Sequence, residues 1–285
     1  MLSDIWIISD GKPGHLNQSL GLVEALTALN LHIVSQVLSV SDAWRSLFST
    51  HSKPKLIISA GSGTQLINAL LALRYSVPNV LLMKPNYPQP LFSLLLIPEH
   101  DQVPPSERVV LTKGALNRMK PAFKEVSSAL VLVGGPSKHV KWQDKLVLDA
   151  IDTLISGTES NCIKVATSRR TPKTLLSELA ANEKVELIQP ESVAQDWLPN
   201  TLATTERVWT TSDSVSMVYE ALTAGCAVSL ISLESNPNSR TQRGMQMLLA
   251  DGIVDNSLER IHHNTNTPLA EADRCAEIIL ERFPL

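Results

Sequence analysis

Ile5-Trp6-Ile7-Ile8 runs into Ser9-Asp10-Gly11-Lys12-Pro13-Gly14-His15-Leu16-Asn17-Gln18, and this stretch decides the fold. An apolar, β-prone run ended by a Gly/Pro-rich turn reads as a buried parallel strand. Asn17 is the expected cap of a following helix, in which Leu20, Leu22, Val23, Leu26 and Leu29 recur at helical spacing. Strand, glycine turn and helix in that order set backbone N–H groups and a helix N-terminus at the strand's carboxyl end, where open α/β sheets take their ligands. Asp10, Lys12, His15, Asn17 and Gln18 give the turn more polar chemistry than a connection needs. The turn is therefore read as a site.

Composition narrows the class. The 285 residues leave room for two domains of about 100–150 residues each. A net charge of −3, without long Lys/Arg runs, argues against nucleic acid as the main partner. Cys162, Cys226 and Cys275 are odd in number, far apart and free of any CxxC pattern. That usage fits a reduced, cytoplasmic chain without a disulfide framework. The start has no basic segment followed by a long apolar one, and no run reaches the roughly 18 apolar residues of a membrane span. Peripheral membrane contact is left open. Leu91 to Pro98, the most apolar stretch, reads as a buried strand.

Strand and helix patterns alternate in two runs. In the first, strands are expected at Ile5–Ser9, His32–Leu38, Leu56–Ser59, Asn79–Met83, Leu94–Ile97 and Val109–Leu111, and helices most clearly at Asn17–Leu29 and Thr64–Arg74. A turn-rich stretch of mixed charge follows from Thr112 to Ser128, broken by Gly114 and Pro121. The second run has strands at Ala129–Val133, Cys162–Thr167, Val185–Ile188, Arg207–Thr210 and Ala227–Leu230. Its helices fit Gln143–Ser156, Pro172–Ala181, Val215–Thr223, Gln242–Ala250 and Leu269–Arg282. Repeated β-α alternation calls for parallel sheets covered by helices on both faces. The expected class is α/β, with two doubly wound domains that divide near Pro121 and face one another across a cleft.

Several strand ends carry candidate chemistry. Ser59-Ala60-Gly61-Ser62-Gly63-Thr64 repeats the geometry of the first turn. Its small residues let a ligand approach the backbone, though tight helix–strand packing explains them equally. Pro98-Glu99-His100-Asp101 is either a titratable site cluster or a solvated loop, and Lys84-Pro85-Asn86-Tyr87-Pro88 reads as a turn. Thr112-Lys113-Gly114-Ala115-Leu116-Asn117 offers N–H groups to an anion.

In the second half, Gly134-Gly135-Pro136-Ser137-Lys138-His139 ends a strand, and its paired glycines admit phosphate oxygens to the backbone. Ser168-Arg169-Arg170-Thr171-Pro172 ends another, with Pro172 expected as the first helical residue. Two arginines suit the positive end of a helix dipole poorly. They fit if a diphosphate lies between, gripped by guanidinium forks; a solvated basic turn is the alternative. Thr211-Ser212-Asp213-Ser214 opens a helix that carries Glu220 and ends at Gly225. Its N–H groups suit phosphate and the Glu220 carboxylate suits ribose hydroxyls, while Gly225 is explained as a helix cap.

Other chemistries fall away. No GxGxxG follows the first strand, and no Walker GxxxxGK[ST], HExxH or Asp-x-Asp is present. Tyr75, Tyr87 and Tyr219 are followed four residues on by Asn79, Leu91 and Thr223, not by the lysine that a sugar epimerase or short-chain dehydrogenase needs. His262-His263 reads as surface, and His32 and His51 carry no pattern.

Ser9 to Leu26 resembles the opening motif of the mitochondrial-fission "elongated mitochondria" family and its bacterial relatives. The resemblance continues through Ile97–Asp101, Thr112–Leu116, Val133–His139, Ser168–Pro172 and Thr211–Val218, in order over nearly the whole chain. Leu16 stands where a more polar residue is expected, which leaves the loop's glycines intact. Members of this family are similar to GT-B glycosyltransferases: two Rossmann-like domains, with the nucleotide-sugar donor in the second and the acceptor in the first. The first turn also resembles the glycine-histidine loop of the peptidoglycan lipid-intermediate glycosyltransferase, and Ser212–Gly225 resembles that enzyme's donor helix. The resemblance implies an acceptor-side domain over 1–121, a donor domain over 122–267, and a helix over 268–285 packing back on the first.

Function follows from that likeness as an expectation. Sugar transfer needs a base at the acceptor hydroxyl and positive or N–H character around the leaving diphosphate. His15 is the natural base, because histidine titrates near neutral pH, with Asp10 in reserve. Gly134, Gly135, Ser168, Arg169, Arg170, Ser212, Asp213, Ser214 and Glu220 form the expected donor set. Lys12, Asn17, Gln18, Gly61 and Ser62 lie on the acceptor side. No metal or other cofactor is expected, and the acceptor, whether glycan or lipid-linked, is left open. The competing class is a non-enzymatic adaptor, since plant relatives are implicated in recruiting a dynamin-like protein to mitochondria. An adaptor has no need of His15 or Arg169.

Overall fold

Strand β1 (Ile5–Ser9) is buried on both faces, and its alternation sets the plan of the first half. Ile5 and Ile7 pack with Leu22 and Leu26 of helix α1 (Pro13–Leu29), while Trp6 and Ile8 join Ile67 and Leu71 on the opposite face. A strand covered on both sides is the mark of a parallel sheet between two helical layers. The computed structural model describes residues 4–49, 53–137, 140–157, 162–234, 239–258 and 268–285. His51, Lys138, His139, His262 and His263 lie outside them.

The chain divides into two compact units, Met1–Arg118 with Ala270–Leu285, and Met119–Leu269. After β1 and α1, the first unit continues through β2 (Ser35–Ser39), α2 (Val40–Ser46), β3 (Leu56–Ala60), α3 (Gln65–Tyr75), β4 (Asn79–Leu82), β5 (Leu94–Pro98) and β6 (Val109–Thr112). These strands form one parallel sheet in the order β2-β1-β3-β4-β5-β6. The second unit holds β7 (Glu125–Val133), α4 (Asp144–Gly157), β8 (Ile163–Thr167), α5 (Lys173–Ala181), β9 (Val185–Ile188) and α6 (Trp197–Thr204). It closes with β10 (Thr205–Thr211), α7 (Val215–Thr223), β11 (Ala227–Ile231) and α8 (Arg240–Ala250). Its sheet, also parallel, runs β11-β10-β7-β8-β9.

Helix α9 (Glu271–Arg282) belongs to the first unit, where Cys275, Ala276 and Ile279 join the core under α1. Burial pushes the Cys275 thiol up to about 12, so it packs as a neutral group. The Arg274 guanidinium donates to the Leu111 carbonyl at 2.7 Å and Arg282 to that of Glu107 at 2.6 Å. No described helix is long and apolar enough to cross a membrane.

Each sheet has one point where successive connections diverge, between β1 and β3 in the first and between β7 and β10 in the second. Open α/β sheets form their ligand crevices at the carboxyl ends of such strand pairs.

Several boundaries differ from the sequence reading; β2, for one, starts at Ser35 and not at His32. Helix α1 starts at Pro13, not at Asn17, because the fixed φ of proline suits a first helical position; the cap is Lys12. This puts His15 on the helix and leaves Asn17, no longer a cap, exposed. Pro172 caps α5 instead of opening it. Strand β7 begins at Glu125, inside the stretch read as turns, and pairs with β10 across an irregularity.

Candidate functional site

In the first unit, the turn after β1 is built around Asp10. Gly11 takes a left-handed backbone with φ 79°, and its N–H donates to Ser9 Oγ. The Lys12 N–H donates to Asp10 Oδ1 at 3.2 Å, an Asx-type closure that swings the chain into α1. The first turn of α1 then carries His15 back so that Nδ1 stands 2.9 and 3.1 Å from the two Asp10 oxygens. The Lys12 ammonium lies 3.6 Å from the same carboxylate. Burial pushes the Asp10 carboxyl up, but hydrogen bonds from His15 and the Lys12 N–H, with the charges of both residues, hold it below the ordinary carboxylate range.

An ionised Asp10 accepts the proton on Nδ1, so a neutral imidazole keeps its lone pair on Nε2. Among the described residues nothing hydrogen-bonds to Nε2, and the His15 side chain is 20% exposed. Beneath the ring lies Gly61, with φ 87°; a Cβ there would fall 2.2 Å from Nδ1. The space at Gly61 is therefore filled by the chain's own histidine. A Cβ on Gly63 would meet Asp10 at 3.5 Å.

Gln18 reaches the Met83 sulfur at 3.9 Å. Met83, one residue past β4, holds φ 77°, a conformation that side chains adopt at a cost and that gathers at functional sites. No signal in the apolar run Asn79–Met83 marks it. Lys12, Asn17 and Ser62 are exposed. In Thr112–Asn117 the Lys113 N–H donates to the Glu271 carboxylate at 3.0 Å, an anion of the chain's own.

In the second unit the centre is Asp213, whose side chain is fully buried. It accepts from the Gly135 N–H at 3.1 Å, Thr211 Oγ1 at 2.7 Å and Arg170 Nη2 at 2.8 Å. Thr211 Oγ1 in turn accepts from the Gly134 N–H at 2.8 Å. A Cβ on Gly134 would fall 2.3 Å from the Asp213 oxygens, and one on Gly135 2.2 Å from the Arg170 carbonyl. The paired glycines thus make room for this knot, and their N–H groups are already occupied. Arg170 is held further by the Gly135 and Pro136 carbonyls at 2.9 and 3.3 Å. Ser168 Oγ donates to the Gly134 carbonyl at 2.9 Å, and Ser212 Oγ accepts the Leu233 N–H at 2.9 Å.

Three predicted donor groups keep open capacity. Arg169 is exposed and makes no hydrogen bond or ion pair among the described residues. Ser214 caps α7 without using its hydroxyl for the cap. Glu220, on the same helix, is partly buried, has no described partner, and is pushed by desolvation up to about 7. Among the described residues no group of three or more His, Cys, Asp or Glu is placed to hold a metal ion.

An uncharacterized protein, RP120, of Rickettsia prowazekii (strain Madrid E) is 22% identical over 350 residues, covering 97% of this chain and 97% of that protein. A co-structure of S. aureus MnaA with UDP aligns over 98% of this chain and 95% of its own, at 16% identity and a TM-score of 0.57. The crystal structure of Acinetobacter baumannii MurG aligns over 99% of each chain, at 10% identity and a TM-score of 0.55. At these identities the two structures speak for the fold alone, which is GT-B. Residues 13–283 match the family described as mitochondrial fission ELM1, a span that takes in both units, and the chain belongs to that family.

Proposed function

We propose that the protein transfers a sugar from a nucleoside-diphosphate sugar to a hydroxyl acceptor. The observation that carries this reading is the Asp10–His15 pair, with Nδ1 on the carboxylate and Nε2 uncommitted. In this reading the Nε2 lone pair takes the acceptor's hydroxyl proton as the oxygen attacks the anomeric carbon and the diphosphate leaves. Asp10 steadies the imidazolium that forms.

Arg169 and the first amides of α7 neutralise the departing diphosphate, and the Glu220 carboxylate accepts hydrogen bonds from the ribose hydroxyls. The knot around Asp213 acts behind them, fixing the loops after β7, β8 and β10. No step is routed through a metal. An adaptor role would leave the pair and the unpartnered Glu220 without a task. The MnaA neighbour carries UDP, which makes uridine nucleotides the first donors to try.

The test is calorimetry with UDP and a panel of UDP- and other nucleotide sugars, followed by transfer or hydrolysis assays of His15→Ala. His15→Ala is expected to lower turnover by roughly 10²–10⁴ while barely changing nucleotide affinity. Absence of binding across the panel would move the adaptor reading ahead.

A further inference from the structure

A base needs its ring held against its carboxylate, and here the seat beneath the ring comes from a different loop. We propose that Gly61 is the positioning residue of the Asp10–His15 pair: its bare α-carbon seats the imidazole and so decides which ring nitrogen is left for a ligand. The catalytic purpose of this arrangement rests on the transferase reading; the steric relation does not.

The contact is close on one side and bonded on the other. A Cβ on Gly61 would lie 2.2, 2.3 and 2.9 Å from His15 Nδ1, Cε1 and Cγ. Nδ1 is the same atom that bonds Asp10, so the ring cannot withdraw from an added methyl and keep that bond. Nor can the loop easily yield. Thr64, fully buried, shares its hydroxyl between the Ala60 and Gly61 carbonyls at 3.1 and 3.0 Å, and Ala60 ends β3 in register with β4. The φ of 87° adds a second demand for glycine. Gly14 makes the contrast: on the same helix turn as His15, its Cβ position meets nothing within 4 Å.

Removing the seat has a specific chemical consequence. A ring pushed off Asp10 no longer has its proton fixed on Nδ1, and both neutral tautomers become populated. Nitrogen NMR of the full chain reads this directly. The native protein is expected to show one His15 tautomer with an unprotonated Nε2. Gly61→Ala is expected to show the averaged signals of the Asp10→Asn variant, and its Asp10 carboxyl should titrate higher than in the native chain.

A stability cycle tests the steric relation without any ligand. With the ring removed in His15→Ala, the Gly61→Ala loss of Tm should shrink to the part due to positive φ, so the two substitutions together cost less than the sum of their separate costs. That arm stands even if Gly61→Ala folds poorly. An unchanged tautomer in Gly61→Ala, or an equal Tm loss in both backgrounds, overturns the positioning role. Full turnover in His15→Ala would instead overturn the transferase reading and leave the tautomer result in place.

Discussion

Glu220 carries a carboxylate that no described residue of its unit satisfies, and desolvation lifts it to about 7. A folded-state value above the unfolded one means that the folded protein holds a proton which the unfolded chain has released. Stability from this group is therefore full below about 4.5 and is lost as pH rises through about 7. Glu220→Gln should raise Tm relative to the native protein above pH 7, by a free energy on the order of 1–3 kcal/mol, and change little at pH 4. Nucleotide binding should move the other way. Native affinity for UDP is expected to climb as pH rises through 7, and the glutamine variant should bind weakly at every pH; calorimetry at three pH values checks both.

The two adjacent arginines separate cleanly. Arg170 anchors a fully buried carboxylate, so Arg170→Ala should cost about 1–3 kcal/mol of stability in urea melts. Arg169→Ala should leave the melt unchanged and weaken UDP binding several-fold. Equal effects of the two on stability would refute the division of labour.

At the scale of elements, the strands were legible because a doubly covered strand is apolar on successive residues, as Leu94 to Ile97 shows. What lay hidden depended on partners far along the chain. Helix α6 was not read from the sequence at all; Pro199 sits in its first turn, where its missing N–H has no intrahelical partner to lose. The start of β7 looked like turns because nothing in the sequence shows that the Lys124 ammonium bonds the Leu202, Ala203 and Ala224 carbonyls, closing the C-terminal ends of α6 and α7. Gly134 was read as room for phosphate oxygens, and Gly61 as room for a ligand or for tight packing. Whose atoms crowd them is a tertiary fact, and they are the chain's own.

The charged residues of the β1 turn were found because their pattern is local, within one turn of one helix. Helix α9 gives an element-scale expectation. Ile279 of α9, fully buried in the core that α9 shares with α1, should cost about 2–5 kcal/mol when cut to alanine. Hydrogen exchange should quicken in β1 and β3 while β7 and β10 keep their protection.

For the whole molecule, the first unit is discontinuous: Met1–Arg118 is completed by Ala270–Leu285, with all of Met119–Leu269 between. Synthesis is vectorial, and this order has a consequence for the nascent chain. At about 5–20 residues per second, the ribosome spends on the order of ten seconds making the second unit. During that interval the first sheet waits with Leu22 and Leu26 uncovered by Cys275, Ala276 and Ile279. The second unit, being continuous, can fold as it emerges, whereas the first must hold an apolar stripe open to solvent, and so to chaperones, until α9 arrives.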